Sequence, residues 1–183
     1  VLQATAFAEP HIETSRLVLR PASSDDIDAL VEEISDIAVA GMLARVPCPY
    51  RRRDAEAFLD SVAACGGRDL PLTIALDDRL IGGIGLSDIR RDCEFGYWLG
   101  QAHWGRGYAT EAGRAFLAFA FDTYDTDAIK SGVFFDNPAS LKVQGKLGFE
   151  QTGTSMRHSL ARGRTVEHID TVLTRARFES LQP

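Results

Sequence analysis

The sequence predicts a single α+β domain, and three observations carry that prediction. Short stretches in which apolar residues alternate with charged ones, the period of a half-buried strand, are interleaved with longer stretches at helical period. Two pairs of strand-like runs close on tight polar corners, as hairpins do. Between them, from Phe95 to Tyr124, a strand runs into a glycine-bearing loop and then into a long apolar helix. At 183 residues, 45% of them hydrophobic, the chain is long enough for one sizeable core.

Residues 1–10 show no periodicity and read as a loose N-terminal tail; the domain is expected over 11–177, with 178–183 as a C-terminal tail. Ile12 to Arg20 alternates over its second half and reads as one strand ended by Pro21. Ser23, with Asp26 three residues on, resembles a capping box. Ile27, Leu30, Val31, Ile34 and Ile37 then follow at helical spacing as one amphipathic helix. From Val39 to Arg53 two prolines forbid regular helix, and the segment reads either as a connector or as a substrate wall. Phe58, Leu59, Val62 and Cys65 signal a second helix stopped by Gly66 and Gly67. Leu72–Leu76 and Leu80–Leu86 flank Asp77 and Asp78 as a hairpin, and Gly82, Gly83 and Gly85 mark a bulge or a close backbone approach. The strand Cys93–Leu99 follows.

After the loop, Tyr108, Ala112, Phe116 and Phe119 form one helical face, with Leu117, Phe121 and Tyr124 on the other. A helix so widely apolar is buried against a sheet. Ala128–Phe135 is strand-like and ends where Asn137 can cap a helix with Pro138 at its first position. Gly148 stops that helix, and Phe149 can fold back on its last turn. Phe149–Leu160 and Thr165–Arg175 form the closing hairpin.

Composition removes several function classes. With 26 acidic against 20 basic side chains, the net charge of −6 argues against a nucleic-acid partner and weakly favours a cationic substrate. No apolar run approaches the roughly 18–20 residues of a membrane span, so no membrane partner is expected. No basic segment followed by an apolar one opens the chain, which makes a cytoplasmic protein the expectation. Cys48, Cys65 and Cys93 are odd in number and lack metal-type spacing with the histidines; they read as reduced packing residues, with no metal site.

The loop offers three ligands to weigh. Gly100 and Gly105 have the spacing of a nucleotide-triphosphate loop, but Arg106 and Gly107 stand where its Lys and Ser/Thr would be. Gly105-Arg-Gly107-Tyr-Ala-Thr110 lacks the third glycine of a dinucleotide fingerprint and does not open a βαβ repeat. What survives is a diphosphate cradled by backbone amides around Gly105, Gly107 and Ala109 at a helix N-terminus, against the alternative of a tight turn holding nothing.

The run of motifs along the chain bears on that choice. Thr-Ser-Arg-Leu-Val-Leu-Arg-Pro, Leu-Ile-Gly-Gly-Ile-Gly-Leu, Phe-Gly-Tyr-Trp-Leu, Trp-Gly-Arg-Gly-Tyr-Ala-Thr-Glu-Ala, Asp-Asn-Pro-Ala-Ser-Leu-Lys-Val and Lys-Leu-Gly-Phe-Glu stand in order from His11 to Arg177. In these the chain resembles the RimJ/RimL-like branch of the GNAT N-acetyltransferase superfamily. The resemblance implies a mixed, mainly antiparallel central sheet flanked by helices, with Cys93–Leu99 and Ala128–Phe135 as a splayed parallel pair that admits acetyl-CoA. It further implies that the backbone of Tyr97, Trp98 and Leu99 pairs with the pantetheine arm, as an added strand would. Amides of Gly105, Arg106, Gly107, Tyr108, Ala109 and Thr110 would hold the pyrophosphate. Asn137 would bind the cofactor's amide region and Ser140 would stand beside the thioester sulfur; the plain alternatives are a helix cap and a first-turn hydroxyl. Ala102 replaces the Gln or Arg that often opens the loop, with Gln101 one place early, and Gln144 and Gly145 stand where the family more often has an apolar residue and a Glu.

The chemistry the resemblance implies is direct attack of a neutral primary amine on the thioester in a ternary complex, with a strand N–H near Leu99 polarising the carbonyl and Ser140 assisting the leaving thiolate. A peptide N-terminal amine, with pKa near 8, asks less of a base than a lysine near 10.4; small amines are the other acceptor class. Glu94, on the splayed strand, and Glu167, on the last hairpin strand, are the candidate bases. His103 and His168 are further candidates, of which His103 reads rather as a loop-surface residue. A non-catalytic acyl-CoA sensor or a structural partner-binding domain are the competing readings, the acceptor walls are Val39–Arg53 and Arg157–His168, and dimers in the family leave a homodimer open.

Overall fold

A computed structural model describes residues 10–181, which form one eight-stranded sheet with helices on both faces. The first expected strand is two: β1 (Ile12–Glu13) and β2 (Val18–Arg20) pair antiparallel around a turn. Thr14 makes the turn, its hydroxyl accepting the Leu17 amide at 2.9 Å while its own N–H reaches Leu17 O. Asp26 then accepts the Ser23 amide at 2.8 Å, the reciprocal arm of the expected box. Its carboxylate also takes two guanidinium nitrogens of Arg20, at 2.7 and 2.8 Å.

The helix expected through Ile37 breaks earlier. α1 (Ile27–Ile34) stops where the Ser35 hydroxyl reaches back to Val31 O and across to Tyr50 O. Asp36 caps a separate short helix, α2 (Ile37–Ala40), on which Ile37 is 53% exposed. A local hydrogen-bonding residue has outcompeted the continuing apolar period. α3 (Arg52–Ala64) packs with α1 on one face of the sheet, where Ile27, Leu30, Ile34, Tyr50 and Leu80 enclose a small core against Trp98.

β3 (Leu70–Leu76) and β4 (Arg79–Ser87) form the expected hairpin, with Asp77 and Asp78 both at positive φ. The glycine-rich strand shows both features foreseen for it. The register shifts between Ile74 and Ala75, and a Cβ at Gly83 would lie 2.5 Å from the Trp98 indole nitrogen. β5 (Glu94–Leu99) pairs antiparallel with β4 along its whole length. α4 (Tyr108–Thr123), β6 (Ala128–Phe134), α5 (Pro138–Leu147), β7 (Glu150–Ser159) and β8 (Arg164–Thr174) follow, and the sheet runs β1-β2-β3-β4-β5-β6-β8-β7. α4 and α5 cover the other face over the main core, where Phe95 stacks on Phe149 at 5.6 Å and Gly113 leaves room for Leu147.

Residues 178–181, expected in a tail, are not loose. α6 (Arg175–Ser180) buries Phe178 against Phe121, ring centroids 5.2 Å apart, so the packed unit reaches beyond the expected boundary. The expected N-terminal tail lies, apart from Pro10, outside the described residues. Among those residues no helix is long and apolar enough to cross a membrane.

Every neighbouring pair in the sheet is antiparallel except β5 and β6, which are parallel and meet at one register pair, Glu94 with Lys130. The strands part beyond it. One side chain marks the fork: Ser131 donates to Phe95 O at 2.8 Å, where a ladder bond would otherwise continue. Gln144, 1% exposed, holds that serine by donating to its hydroxyl at 2.8 Å, donates to Gly132 O at 3.2 Å, and accepts from Thr171 at 2.8 Å. The polar residue that departs from the family pattern is thus a satisfied buried group, bracing the fork.

Two stability outcomes follow from these contacts. Asp26→Ala leaves the Arg20 guanidinium without its counter-charge and is expected to cost about 3 kcal/mol in denaturant unfolding. Burial works to raise the Asp26 carboxyl, but Arg20 and Ser23 outweigh it and hold it below its ordinary value. Its contribution is therefore full above pH about 4 and fades as pH falls through the lowered value, so the parent and Asp26→Ala should converge in stability at strongly acid pH. Gly145 faces open space in α5, and Gly145→Ala should raise stability by about 0.5–1 kcal/mol in the same measurement.

Candidate active site

The fork between β5 and β6 leaves a strand edge unpaired. Gly100 N–H bonds Ile81 O on β4, whereas Cys93 O takes Lys130 N and Phe95 O takes Ser131 on the β6 side. Peptide groups alternate along a strand, so those of Tyr97 and Leu99 also point toward β6, where the ladder has ended. The Leu99 carbonyl is taken by the Trp104 indole N–H at 2.8 Å; the Leu99 N–H and both groups of Tyr97 have no acceptor or donor among the described residues. Trp98 instead faces the other way, its peptide toward β4 and its ring over Gly83.

Just past that edge the chain makes a second set of unpaired groups. Gly105 and Gly107 adopt φ of 74° and 83°, conformations that an L side chain strains, and Gly107 begins α4. The successive N–H groups from Gly105 to Ala109 have no acceptor among the described residues, and they lie where the helix dipole is positive. Thr110 is different from expectation: its N–H closes onto Gly107 O at 3.1 Å, so only its hydroxyl is left to a ligand. The Tyr108 ring is buried, while Arg106 is exposed.

The sequence reading missed what holds this loop. Glu111, in the first turn of α4, accepts from Thr14 at 2.7 Å, from Ser15 and the Arg16 amide at 3.0 Å each, and from the Arg16 guanidinium at 2.6 Å. Arg16 also donates to Arg106 O at 3.1 Å and lies over the Tyr108 ring. Burial acts to raise the Glu111 carboxyl, and these donors outweigh it and hold it below the ordinary range. The signal was present, since Thr-Ser-Arg and Ala-Thr-Glu-Ala stand in two quoted motifs, but nothing in either says that they touch. His103, expected at the surface, is half-buried on Glu33 of α1 at 3.3 Å, with its Nδ1 enclosed and unpartnered.

At the start of α5 the plain and functional readings coexist. Asn137 Oδ1 accepts Ser140 N–H at 3.1 Å, which is the helix cap, and its amide donors remain uncommitted. Ser140 Oγ lies 2.7 Å from the Tyr97 hydroxyl, which spans from β5 to α5 on the α4 face. Burial pushes that phenol up to about 12, against the Ser140 hydrogen bond, so it stays protonated at neutral pH.

The two acidic candidates are not brought together. Glu94 sits at the closed end of the fork, 35% exposed, and its carboxylate is held by Arg157 at 2.6 Å. Glu167 is exposed, and strand alternation puts it on the opposite face of the sheet from Glu94: β8 residues 166, 168 and 170 share Glu94's side, 167 and 169 do not. Among the described residues no group of three or more His, Cys, Asp or Glu is placed to hold a metal, and all three cysteines are free.

Comparison with known proteins decides the family. The acetyltransferase (GNAT) domain family matches residues 16–150. The chain belongs to the GNAT acetyltransferase family. It is an acyltransferase, of a class that uses acetyl-CoA as co-substrate, and the unbonded amides of the glycine loop and the open strand edge have the chemistry to take a diphosphate and an amide-bearing arm. The chain is similar to an uncharacterized N-acetyltransferase p20 of Bacillus licheniformis, 28% identical over 160 residues, covering 84% of this chain and 90% of that protein. Among solved structures it resembles Mycobacterium smegmatis RimJ in complex with CoA-disulfide, at TM-score 0.79, 21% identity and coverage of 96% and 90%. It also resembles spermidine N-acetyltransferase from Vibrio cholerae in complex with CoA and spermine, at TM-score 0.77, 18% identity and coverage of 91% and 99%. These two show a shared fold, and the mixed sheet with its one parallel pair is the architecture foreseen for this GNAT acetyltransferase.

The Glu111 hub gives a test of loop support. Glu111→Ala releases Thr14, Ser15 and Arg16 together and should lower stability by about 1–3 kcal/mol in calorimetry, with weakened binding of CoA in isothermal titration as the loop loses its anchor.

Proposed function

We propose that the chain transfers the acetyl group of acetyl-CoA to a primary amine, by direct attack within a ternary complex. The observation that carries this reading is the continuity of two unpaired features: the open β5 edge at Tyr97 and Leu99 leads into the unbonded amides of Gly105 to Ala109. An extended arm with an amide-rich backbone suits the first, and a diphosphate suits the second. Asn137, through its free amide donors, would hold a carbonyl of the arm, and the Leu99 N–H would polarise the acetyl carbonyl. Acetyl-CoA supplies an activated acetyl group and a thiol leaving group. Ser140 and the protonated Tyr97 hydroxyl, 2.7 Å apart, form a donor pair for the departing sulfur, so Tyr97 contributes its side chain as well as its backbone.

The acceptor reading is a peptide N-terminal amine or a small amine, within the RimJ/RimL-like branch. Its support is the ordered motif set and the similarity to both RimJ and a spermidine N-acetyltransferase. Free cysteines and the absence of a membrane-length helix among the described residues accord with a cytoplasmic site of action.

Acetyl-CoA at a hundredfold excess over its Kd should stabilise the protein by about 2.7 kcal/mol, or about 5–10 °C in Tm for a domain of this size. Gly107→Glu, which puts bulk and negative charge into the cradle, should abolish that shift while the circular dichroism spectrum stays that of the parent. An unchanged shift in the variant places the phosphates elsewhere. A free-thiol release assay across peptide N-termini and polyamines then names the acceptor class.

A further inference from the structure

On the face of the sheet away from α4 and α5, the fork opens onto two glycines. Gly96 of β5 is exposed with nothing within 4 Å of where its Cβ would be. Gly132 of β6 lies two residues past the Glu94–Lys130 pair, as Gly96 does, so the two face one another across the parting strands. The gap over Gly132 is filled by a side chain from the next strand: a Cβ there would collide with the His168 imidazole and with Ile169 O. The glycine exists where the ring needs its space, and the ring is thereby fixed above the mouth of the cleft.

His168 is 6% exposed and held on several sides. Its Nδ1 bonds Asp170 Oδ1 at 2.7 Å, Asp170 Oδ1 also accepts from Ser155 at 2.9 Å, and the Phe134 ring meets the imidazole edge-on at 5.9 Å. A carboxylate at Nδ1 fixes the proton there and leaves the lone pair on Nε2. That nitrogen has no partner among the described residues, yet it is not enclosed. Burial acts to raise Asp170, and the bonds from His168 and Ser155 overcome it and keep the carboxyl ionised well into the acid range.

The geometry points to His168, oriented by Asp170 and seated on Gly132, as the proton acceptor for the amine substrate, with the open Gly96 as the floor on which that amine rests. This rests on the acetyl-transfer reading above and names the base that reading left open. The amine arrives as an ammonium and passes one proton to His168 Nε2. The neutral nitrogen forms the C–N bond to the acetyl carbon as the C–S bond breaks; a second amine proton ends on the sulfur as CoA thiol, and His168 returns the first to water. Glu94, one of the two expected bases, is committed to its ion pair with Arg157. The charged groups that face the ring are Asp170 from β8, Arg157 from β7 with Glu94 from β5, and, beyond Phe134, Arg162 with Asp136.

The test uses the intact protein with acetyl-CoA and the best amine from the thiol assay. His168→Gln should lose about 10²–10³-fold in kcat/KM and lose the acidic limb of the pH profile, while the acetyl-CoA shift in Tm is retained, because the ring is on the other face from the cradle. Asp170→Asn should lower kcat with the KM for acetyl-CoA unchanged, since the ring loses the partner that orients it. NMR titration of the His168 ring in the CoA-bound protein should give the same midpoint as the limb, a readout independent of turnover and of any folding loss in His168→Gln. A limb that persists in His168→Gln, or a ring midpoint unrelated to it, overturns the assignment. A parent that releases no thiol with any amine overturns the acetyl-transfer reading and this inference with it, whereas an active parent indifferent to His168→Gln overturns this inference alone.

Discussion

Everything that looks like a site in this protein depends on β5 and β6 ceasing to pair. A parallel ladder gains a hydrogen bond at every step, so two strands that begin together tend to stay together unless something competes. Here the competitor is the buried set Ser131, Gln144 and Thr171. Ser131 takes the Phe95 carbonyl, Gln144 takes Ser131 and the Gly132 carbonyl, and Thr171 completes the amide. Each polar atom named is satisfied, which is the condition for such a network to rigidify rather than weaken a core. The open edge at Tyr97 and Leu99 is the direct result.

Around that fork the two faces of the sheet divide the work. The face under α4 and α5 carries the unbonded amides of the glycine loop, the capping Asn137 and the Tyr97–Ser140 pair. The opposite face carries Glu94, Trp98 and His168, overlooked by the loop after α2. That loop is not free: Arg162 at the β7–β8 tip donates to Gly41 O, pairs with Asp136 and stacks on Phe134, while Leu160 N–H reaches Ala44 O. The segment read as either connector or wall is thus pinned to the hairpin that was read as the other wall.

Much of the fold was legible because its signals are local. Asp77 and Asp78 announce a tight corner, Asn137-Pro138 a helix start, Gly148 a helix stop, and Gly105 and Gly107 a backbone that has to turn left-handed; each is a short-range steric or hydrogen-bonding preference. Where the reading failed, a competing local bond had intervened. Thr14 turned one strand into two, and Ser35 and Asp36 split one helix. Phe178 was assigned to a tail because a six-residue helix carries too little period to see, and its burial against Phe121 is a tertiary fact.

By itself the sequence determined most of the element order, the turn of the glycine loop into a helix start and, through its motifs, the family, because these rest on neighbours in the chain and on their order. The tertiary structure alone decided which candidates lie together. Glu94 and Glu167 are equally acidic on paper, but strand alternation sends one to each face, and Arg157, sixty-odd residues away, takes the first. Gly132 carries no signal in the sequence, and its need appears only with the His168 ring over it, while Gln144, a departure from the family pattern, is seen to brace the fork. Contacts across strands carry no mark in a single chain, since their cause is the pairing register and not the residues on either side.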